Sequence, residues 1–273
     1  MDYSNKVLVL KTAQTAAIKC VFSSLKDILV ESQLTFRPDG WRLADMAPGF
    51  IVHMFLDAAN FESFYCKYPS IVIGVKTLHL FKLLSFIEPT DVLTISVEES
   101  DYNNGVADFL TLQYENATIM QCKTFRLKLQ DAHKDCIELP NISYTSITNL
   151  PSADFHKIIR YLNGLMVTTL EFNVVGSELI LRGDGPYMQS EIRRGEMENG
   201  LSHINRIAPG KVVQGYFSMP HLMYIIKCTS LSPQMELYMA NDMPLIVQYS
   251  VSTLGKIRFA LDSNRTEQQL LIR

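Results

Sequence analysis

The chain has 273 residues, 47% of them hydrophobic and 19% charged, with a formal net charge of −3. That balance is enough to bury a sizeable core, suits one large domain or two ordinary ones, and excludes a disordered chain. No apolar run approaches the roughly 20 residues that cross a bilayer, and the start, MDYSNKVLVLK, has no long apolar segment or small-residue cleavage site, so the expectation is a protein retained inside the cell without membrane partners.

A helix is predicted over 13 to 30, where Ile18, Val21, Phe22 and Leu25 form an apolar stripe and Lys19, Ser23 and Lys26 take the other face. Turn signals follow at PDG (38 to 40) and, later, at NNG (103 to 105) and GDGP (183 to 186). A second helix is predicted over 77 to 87, followed by the alternating segment LTISVE. Residues 129 to 146, LQDAHKDCIELPNISYTS, start polar, carry a proline and have neither period, which reads as a linker. The segment SADFHKIIRYLNG, 152 to 164, spaces Phe155, Ile158, Ile159 and Leu162 as one buried stripe and sets His156, Lys157 and Arg160 opposite. Its only acid, Asp154, falls in the first turn, where the helix dipole favours it. A fourth helix is predicted over 218 to 229, leading into the alternating MELYMA.

The halves repeat each other. Phe, Gly and Leu of FRPDGWRL recur in FNVVGSEL at an offset of 136, and His79, Leu80, Leu83 and Leu84 match His221, Leu222, Ile225 and Ile226 at an offset of 142. That register continues as Leu93, Ile95 and Val97 against Met235, Leu237 and Met239. Each repeat reads as strand, helix and three strands, then the same again, an α+β arrangement with helices on one side of the sheets.

Charge is distributed unevenly. The four predicted helices hold six bases (Lys19, Lys26, Lys82, Lys157, Arg160, Lys227) and two acids (Asp27, Asp154), a net +4 against −7 for the remainder. Lysines on one exposed helix are ordinarily solvated surface. Four repeat-related helices of one sign on an acidic chain point instead to a polyanion such as duplex DNA, held through its phosphates without base readout.

Chemistry-bearing motifs are sparse. The five cysteines (Cys20, Cys66, Cys122, Cys136, Cys228) contain no CxxC pair, which indicates neither a zinc site nor a disulfide framework. GxxxxGK[ST], HExxH and GxSxG are absent, so no enzyme is expected, nor any cofactor. Asp131, His133 and Asp135 have a spacing that suits a metal, but in a charged linker solvation is the simpler reading, and no metal is expected.

The segments SLKDILVESQLTFRPDGWRLADM, FESFYCKYPSIVIGV, LPSADFHKIIRYL and NDMPLIVQY, in this order, resemble the proliferating cell nuclear antigen family of eukaryotic and viral DNA sliding clamps. The resemblance implies clamp domains over 1–128 and 147–262, a connector over 129–146 and a flexible tail over 263–273. It further implies a homotrimeric ring with helices inside and sheets outside, placed around double-stranded DNA by a clamp loader. Lys19, Lys26, Lys76, Lys82, Lys157, Arg160 and Lys227 would line the channel, with Pro220 and Ser85 standing where relatives often carry a base.

By the same resemblance a groove on one ring face takes a Gln-x-x-aliphatic-x-x-aromatic-aromatic peptide from a DNA polymerase or another enzyme. The matching positions are Met46, Ile51, Ile137, Leu139, Pro140, Tyr144, Pro244 and Leu261, and the family's aromatic-Leu-Ala-Pro ending is here Ala260-Leu261-Asp262-Ser263. Subunits would join through strands near 118 to 127 and 183 to 193, with Ile119, Cys122, Phe125, Tyr187, Gln189 and Ile192 at the interface. The expected compartment is the nucleus, or a viral replication compartment, since the divergence suits a viral or protist source. A clamp-like subunit acting as a monomer or in a mixed checkpoint-type ring is the alternative, and an enzyme using acidic residues outside any recognised motif the more distant one.

Overall fold

A computed structural model describes residues 5–132 and 142–263. These fall into two compact units, one with 5–47, 52–132 and 251–257, the other with 48–51, 142–250 and 258–263. From 5 to 132 the elements are β1 (Lys6–Thr12), α1 (Thr15–Leu25), β2 (Glu31–Arg37), β3 (Gly40–Ala47), β4 (Phe50–Asp57), β5 (Ser63–Cys66), β6 (Ile71–Lys76), α2 (Thr77–Leu84), β7 (Val92–Glu98), β8 (Tyr102–Asn103), β9 (Val106–Ala107), β10 (Phe109–Asn116) and β11 (Gln121–Lys128). From 142 to 263 they are β12 (Ser146–Pro151), α3 (Ser152–Gly164), β13 (Thr169–Val175), β14 (Glu178–Gly185), β15 (Met188–Gly195), β16 (Ser202–Asn205), β17 (Val212–Ser218), α4 (Met219–Ile225), β18 (Gln234–Met239), β19 (Leu245–Val251) and β20 (Gly255–Leu261).

In the first unit the strands run β11-β10-β7-β1-β5 and β6-β2-β3-β4; in the second, β20-β19-β18-β12-β16 and β17-β13-β14-β15. The two orders are the same once β1 is matched with β12 and β7 with β18, so the sequence repeat is a repeat of topology. Two features go beyond the predicted strand-helix-three-strand unit: a short fourth strand (β5, β16) and the β8–β9 ribbon of the first unit. β5 has only four half-buried residues, Ser63–Cys66, too few to show a period.

The predicted stripes form the core: Ile18, Val21, Phe22 and Leu25 on α1, and Phe155, Ile158, Ile159 and Leu162 on α3, are buried. Leu93, Ile95 and Val97 of β7 and Met235, Leu237 and Met239 of β18 are buried at alternate positions, as a half-covered sheet requires. In the first unit α1 packs on α2 and α2 on β6; in the second α3 packs on α4 and β12, and α4 on β17.

Element ends differ from the prediction where apolar residues outlast the helix. α1 stops at Leu25, because Leu29 turns back into the core while Val30 is exposed ahead of β2. α2 stops at Leu84, where Phe86 and Ile87 bond three residues back to Leu83 and Leu84. α4 gives way at Ile226 to a 3₁₀ helix, Ile226–Leu231, which holds Lys227. The first linker residues lie against β6: Gln130 N–H donates to the Gly74 carbonyl, and a Cβ on Gly74 would sit 2.8 Å from the Gln130 oxygen.

Phe155 is wholly buried, with its ring 6.3 Å from that of Phe172. Phe155→Ala removes a large side chain from this core and is expected to destabilise the protein by about 3–5 kcal/mol, measured as a lowered midpoint in urea unfolding.

Candidate nucleic-acid and partner interfaces

Viewed down α3, the exposed side is centred on Ala153 and Gly164 and flanked by Lys157 and Arg160, opposite the buried stripe. Small residues at the centre of this face let a bulky ligand approach while the two cations reach around it. Neither base makes a hydrogen bond or ion pair with a described residue. Burial, and then Arg160 beside it, hold the His156 pKa below its ordinary value, so the ring stays neutral at pH 7 and adds no charge. Tyr161, 62% exposed, shares this face, a position the sequence reading passed over.

The first unit divides its bases. Lys76, at the N-cap of α2, and Lys82, in its last turn, are exposed and unpaired among the described residues. Lys19 instead donates to the carbonyls of Ser85 and Ile87 at 3.0 and 3.2 Å, holding the C-terminal end of α2, where a cation complements the helix dipole. Lys26 is half-buried, 3.1 Å from Asp27 and over the Phe81 ring at 5.1 Å. In the second unit Lys227 is exposed, with its ammonium 5.0 Å from the centroid of the Tyr224 ring.

Several bases on the strands are paired. Lys11 pairs with Glu115 at 2.7 Å, Lys123 with Glu88 at 2.8 Å, Arg126 with Asp101 at 2.6 Å, and Arg182 with Glu191 at 2.6 Å. A cleft of about 590 Å³ in the second unit gathers Glu171, Arg182, Glu191 and Tyr216. Its groups satisfy one another: Tyr216 donates to Glu171 at 3.0 Å, and Arg182, then Arg193, hold Glu191 below the usual carboxylate range. Burial and the bond to Glu171 raise the Tyr216 pKa. None of the shifted groups, Tyr216, Glu191 or Arg182, is moved toward neutrality, where an acid-base catalyst would work.

The predicted partner-binding positions are unequal. Met46 is 69% exposed; Ile51, Tyr144 and Pro244 are half-buried; Ile137, Leu139 and Pro140 lie outside the described residues. Leu261 is 0% exposed, so it belongs to the core and offers a ligand no surface. Tyr144 meets the ring of Tyr238 edge-on at 5.7 Å.

The residues of the predicted interface strands fall in turns and on both faces of their strands. Ile119 is 58% exposed but lies in the turn before β11, where its N–H and that of Thr118 point to the Asn116 side chain. Cys122 and Phe125 occupy opposite faces of β11, since they are three residues apart on a strand of period two. Phe125 already stacks on Phe86 of its own chain at 5.6 Å. The segment 183 to 193 is a hairpin rather than one strand: Gly183–Gly185 end β14, Tyr187 lies in the turn, and Gln189 and Ile192 fall on opposite faces of β15. β11 and β15 are last in their strand orders, with one edge each unpaired among the described residues.

Comparison with known families decides what this two-unit fold is. The proliferating cell nuclear antigen N-terminal domain matches residues 7–137, and the C-terminal domain matches residues 138–264. The chain belongs to the proliferating cell nuclear antigen family. It is similar to a probable DNA polymerase sliding clamp 1 of Paramecium bursaria Chlorella virus 1, 26% identical over 267 residues, covering 96% of this chain and 98% of that protein. It is also similar to a probable DNA polymerase sliding clamp of Acanthamoeba polyphaga mimivirus, 26% identical over 292 residues, covering 93% of this chain and 61% of that protein. Both domains and their viral relatives make it a divergent DNA sliding clamp of replication, in a family generally without enzymatic activity.

In this clamp the bases of the helices have separable duties. Lys19→Ala is expected to lower stability by about 1 kcal/mol, because it strips two carbonyls at a helix end of a charged donor. Lys157→Ala, which breaks no hydrogen bond or ion pair to a described residue, should stay within about 0.5 kcal/mol of the parent. Parallel urea melts of the two variants measure the difference.

Proposed function

We propose that the clamp closes as a homotrimeric ring around duplex DNA, with the exposed faces of its helices toward the phosphates. The observation that carries this reading is a set of exposed bases along the helices that have no acidic partner among the described residues. Lys82, Lys157 and Arg160 on the helices, and Lys76 where β6 meets α2, have no acidic partner among the described residues, whereas Lys11, Lys123, Arg126 and Arg182 on the strands do; Lys128, Arg194 and Lys256 on the strands are unpaired as well. Unpaired, exposed cations on one kind of surface keep their field for an external polyanion. Lys227, exposed with its ammonium over the Tyr224 ring, lies on the same kind of surface, and Lys19 and Lys26 contribute less because each already serves its own unit.

The free edges of β11 and β15 are the segments proposed to join one copy to the next by strand pairing, which the family resemblance suggests. Lys123 and Arg126 on β11 and Arg193 on β15 each have a counterion on their own chain, whereas Lys128 and Arg194 on the same strands have none among the described residues. Met46, Ile51, Tyr144 and Pro244, together with Ile137, Leu139 and Pro140, are proposed to take a Gln-x-x-aliphatic-x-x-aromatic-aromatic peptide of a polymerase or another replication enzyme. A clamp loader would open the ring, in a nucleus or a viral replication compartment.

Light scattering coupled to size exclusion should give the mass of three 31.0-kDa chains at micromolar concentration, and a single-chain mass would refute the homotrimer. On circular DNA with a loader present, Lys157→Ala with Arg160→Ala should shorten retention regardless of base sequence. The magnitude of the slope of log K against log salt should fall by up to about 0.9 for each phosphate that is no longer neutralised. Unchanged retention and slope would assign that face to ordinary solvent. Calorimetry should find that Leu139→Ala with Tyr144→Ala abolishes binding of a Gln-x-x-Leu-x-x-Phe-Phe peptide while leaving the particle mass unchanged.

A further inference from the structure

The outer face of the second unit's larger sheet carries a polar chain that spans three strands. On β20, Arg258 Nε donates to Gln248 Oε1 of β19 at 2.6 Å. Gln248, only 2% exposed, donates through Nε2 to Glu236 Oε2 of β18 at 2.7 Å and to the Tyr238 hydroxyl at 3.2 Å. The Tyr238 hydroxyl in turn donates to Glu236 Oε2.

Only one arrangement of protons satisfies this chain. Arg258 has donors only, so the Gln248 oxygen must accept and its NH₂ must face Glu236 and Tyr238. The Tyr238 hydroxyl then accepts from Gln248 and can give its proton only to the carboxylate. Burial, and then that bond, push the Tyr238 pKa up to about 12, so the donor is retained throughout the neutral range. The Arg258 guanidinium also lies 5.9 Å from the Tyr238 ring centroid.

Seated against this locked ring is Tyr144, edge-on at 5.7 Å. Its backbone is held as well: Asn205 Nδ2 donates to the Tyr144 carbonyl at 3.1 Å, and Thr145 Oγ1 donates to the Met239 carbonyl at 3.3 Å. An aromatic residue just ahead of β12 is therefore tied by ring and by main chain to β16 and β18.

We infer that Tyr238, oriented by Glu236, Gln248 and Arg258, is a positioning residue that sets Tyr144 for partner-peptide binding. The inference rests on the proposed role of Tyr144 in that binding. Tyr238 touches no peptide in this scheme; it removes the rotational freedom that Tyr144 would otherwise lose on binding, and so strengthens association by preorganisation.

The test is a cycle of variants in the full-length protein, with binding of a Gln-x-x-Leu-x-x-Phe-Phe peptide measured by calorimetry. Tyr238→Phe keeps the ring and deletes the hydroxyl; Arg258→Met frees the Gln248 amide to flip. Each should weaken the peptide by about fivefold, equivalent to roughly 1 kcal/mol, with particle mass and DNA retention unchanged. In the Tyr144→Ala background the same two changes should cost nothing further, because their effect passes through Tyr144. Full affinity in Tyr238→Phe and Arg258→Met, or an equal loss with and without Tyr144, would overturn the inference. If the parent protein itself fails to bind the peptide while Tyr144→Ala leaves a native mass, the underlying groove assignment has failed instead.

Discussion

Each helix of the clamp can bury one stripe and no more, and the distribution of charge over the two units follows from that constraint. Phe22 and Leu25 on α1, and Phe155 and Leu162 on α3, are wholly buried, each contributing about 1.5–3 kcal/mol by leaving water. With 3.6 residues per turn, a stripe at i, i+3, i+4 and i+7 leaves Lys157 and Arg160 on the far side of α3, with one acid, Asp154, in the same helix. A strand offers the opposite opportunity. Its exposed side chains stand roughly 5 Å from a partner across the ladder, so Arg182 finds Glu191 directly opposite and is neutralised. Buried stripes thus leave Lys157 and Arg160 without a counterion among the described residues, while Arg182 and Glu191 neutralise each other across the ladder.

The two units share a strand order but use their bases differently. In the first, Lys19 serves the end of α2 and Lys26 is occupied by Asp27 and Phe81, which leaves Lys76 and Lys82 unpaired among the described residues. The absence of a basic residue at Ser85 follows the same logic: its hydroxyl donates to the Lys82 carbonyl and its own carbonyl accepts from Lys19, so the position finishes a helix. In the second unit α3 ends without such help, on Gly164 and a left-handed Met166, and Lys157 and Arg160 are not drawn into capping. Equivalent elements therefore present different amounts of free charge, an asymmetry that topology alone does not reveal.

What the sequence made legible depended on range. α3 was readable to the residue because Pro151 precedes it, Asp154 suits its first turn and Gly164 closes it, all local signals. α1 was overextended because Ile28, Leu29 and Val30 continue the apolar run for a different purpose, the turn into β2. Strand faces follow parity: Cys122 and Phe125 look adjacent as apolar positions along the chain, yet period two sets them on opposite sides of β11. Leu261 belonged to a recognisable ending, but burial depends on which side of β20 it takes, and it takes the core side. The Tyr238 network could not be read at all, since Glu236 and Gln248 meet only through the β18–β19 register.

That register has a consequence for how one strand serves two surfaces. Along β18, Met235, Leu237 and Met239 enter the core, while Glu236 and Tyr238 face outward into the polar chain. The inward residues support the layer to which α3 and α4 belong; the outward pair orients Tyr144. Alternation keeps the two sets of side chains apart even though their backbones are continuous, so polar residues can change on the outer face without opening a cavity in the core. The reverse does not hold. A change of volume at Leu237 would shift the β18 backbone, and with it the hydrogen bonds of about 2.7 Å that fix Gln248 and Glu236, because close-packed interiors transmit strain. The geometry of the outer surface is therefore set by the apolar residues behind it.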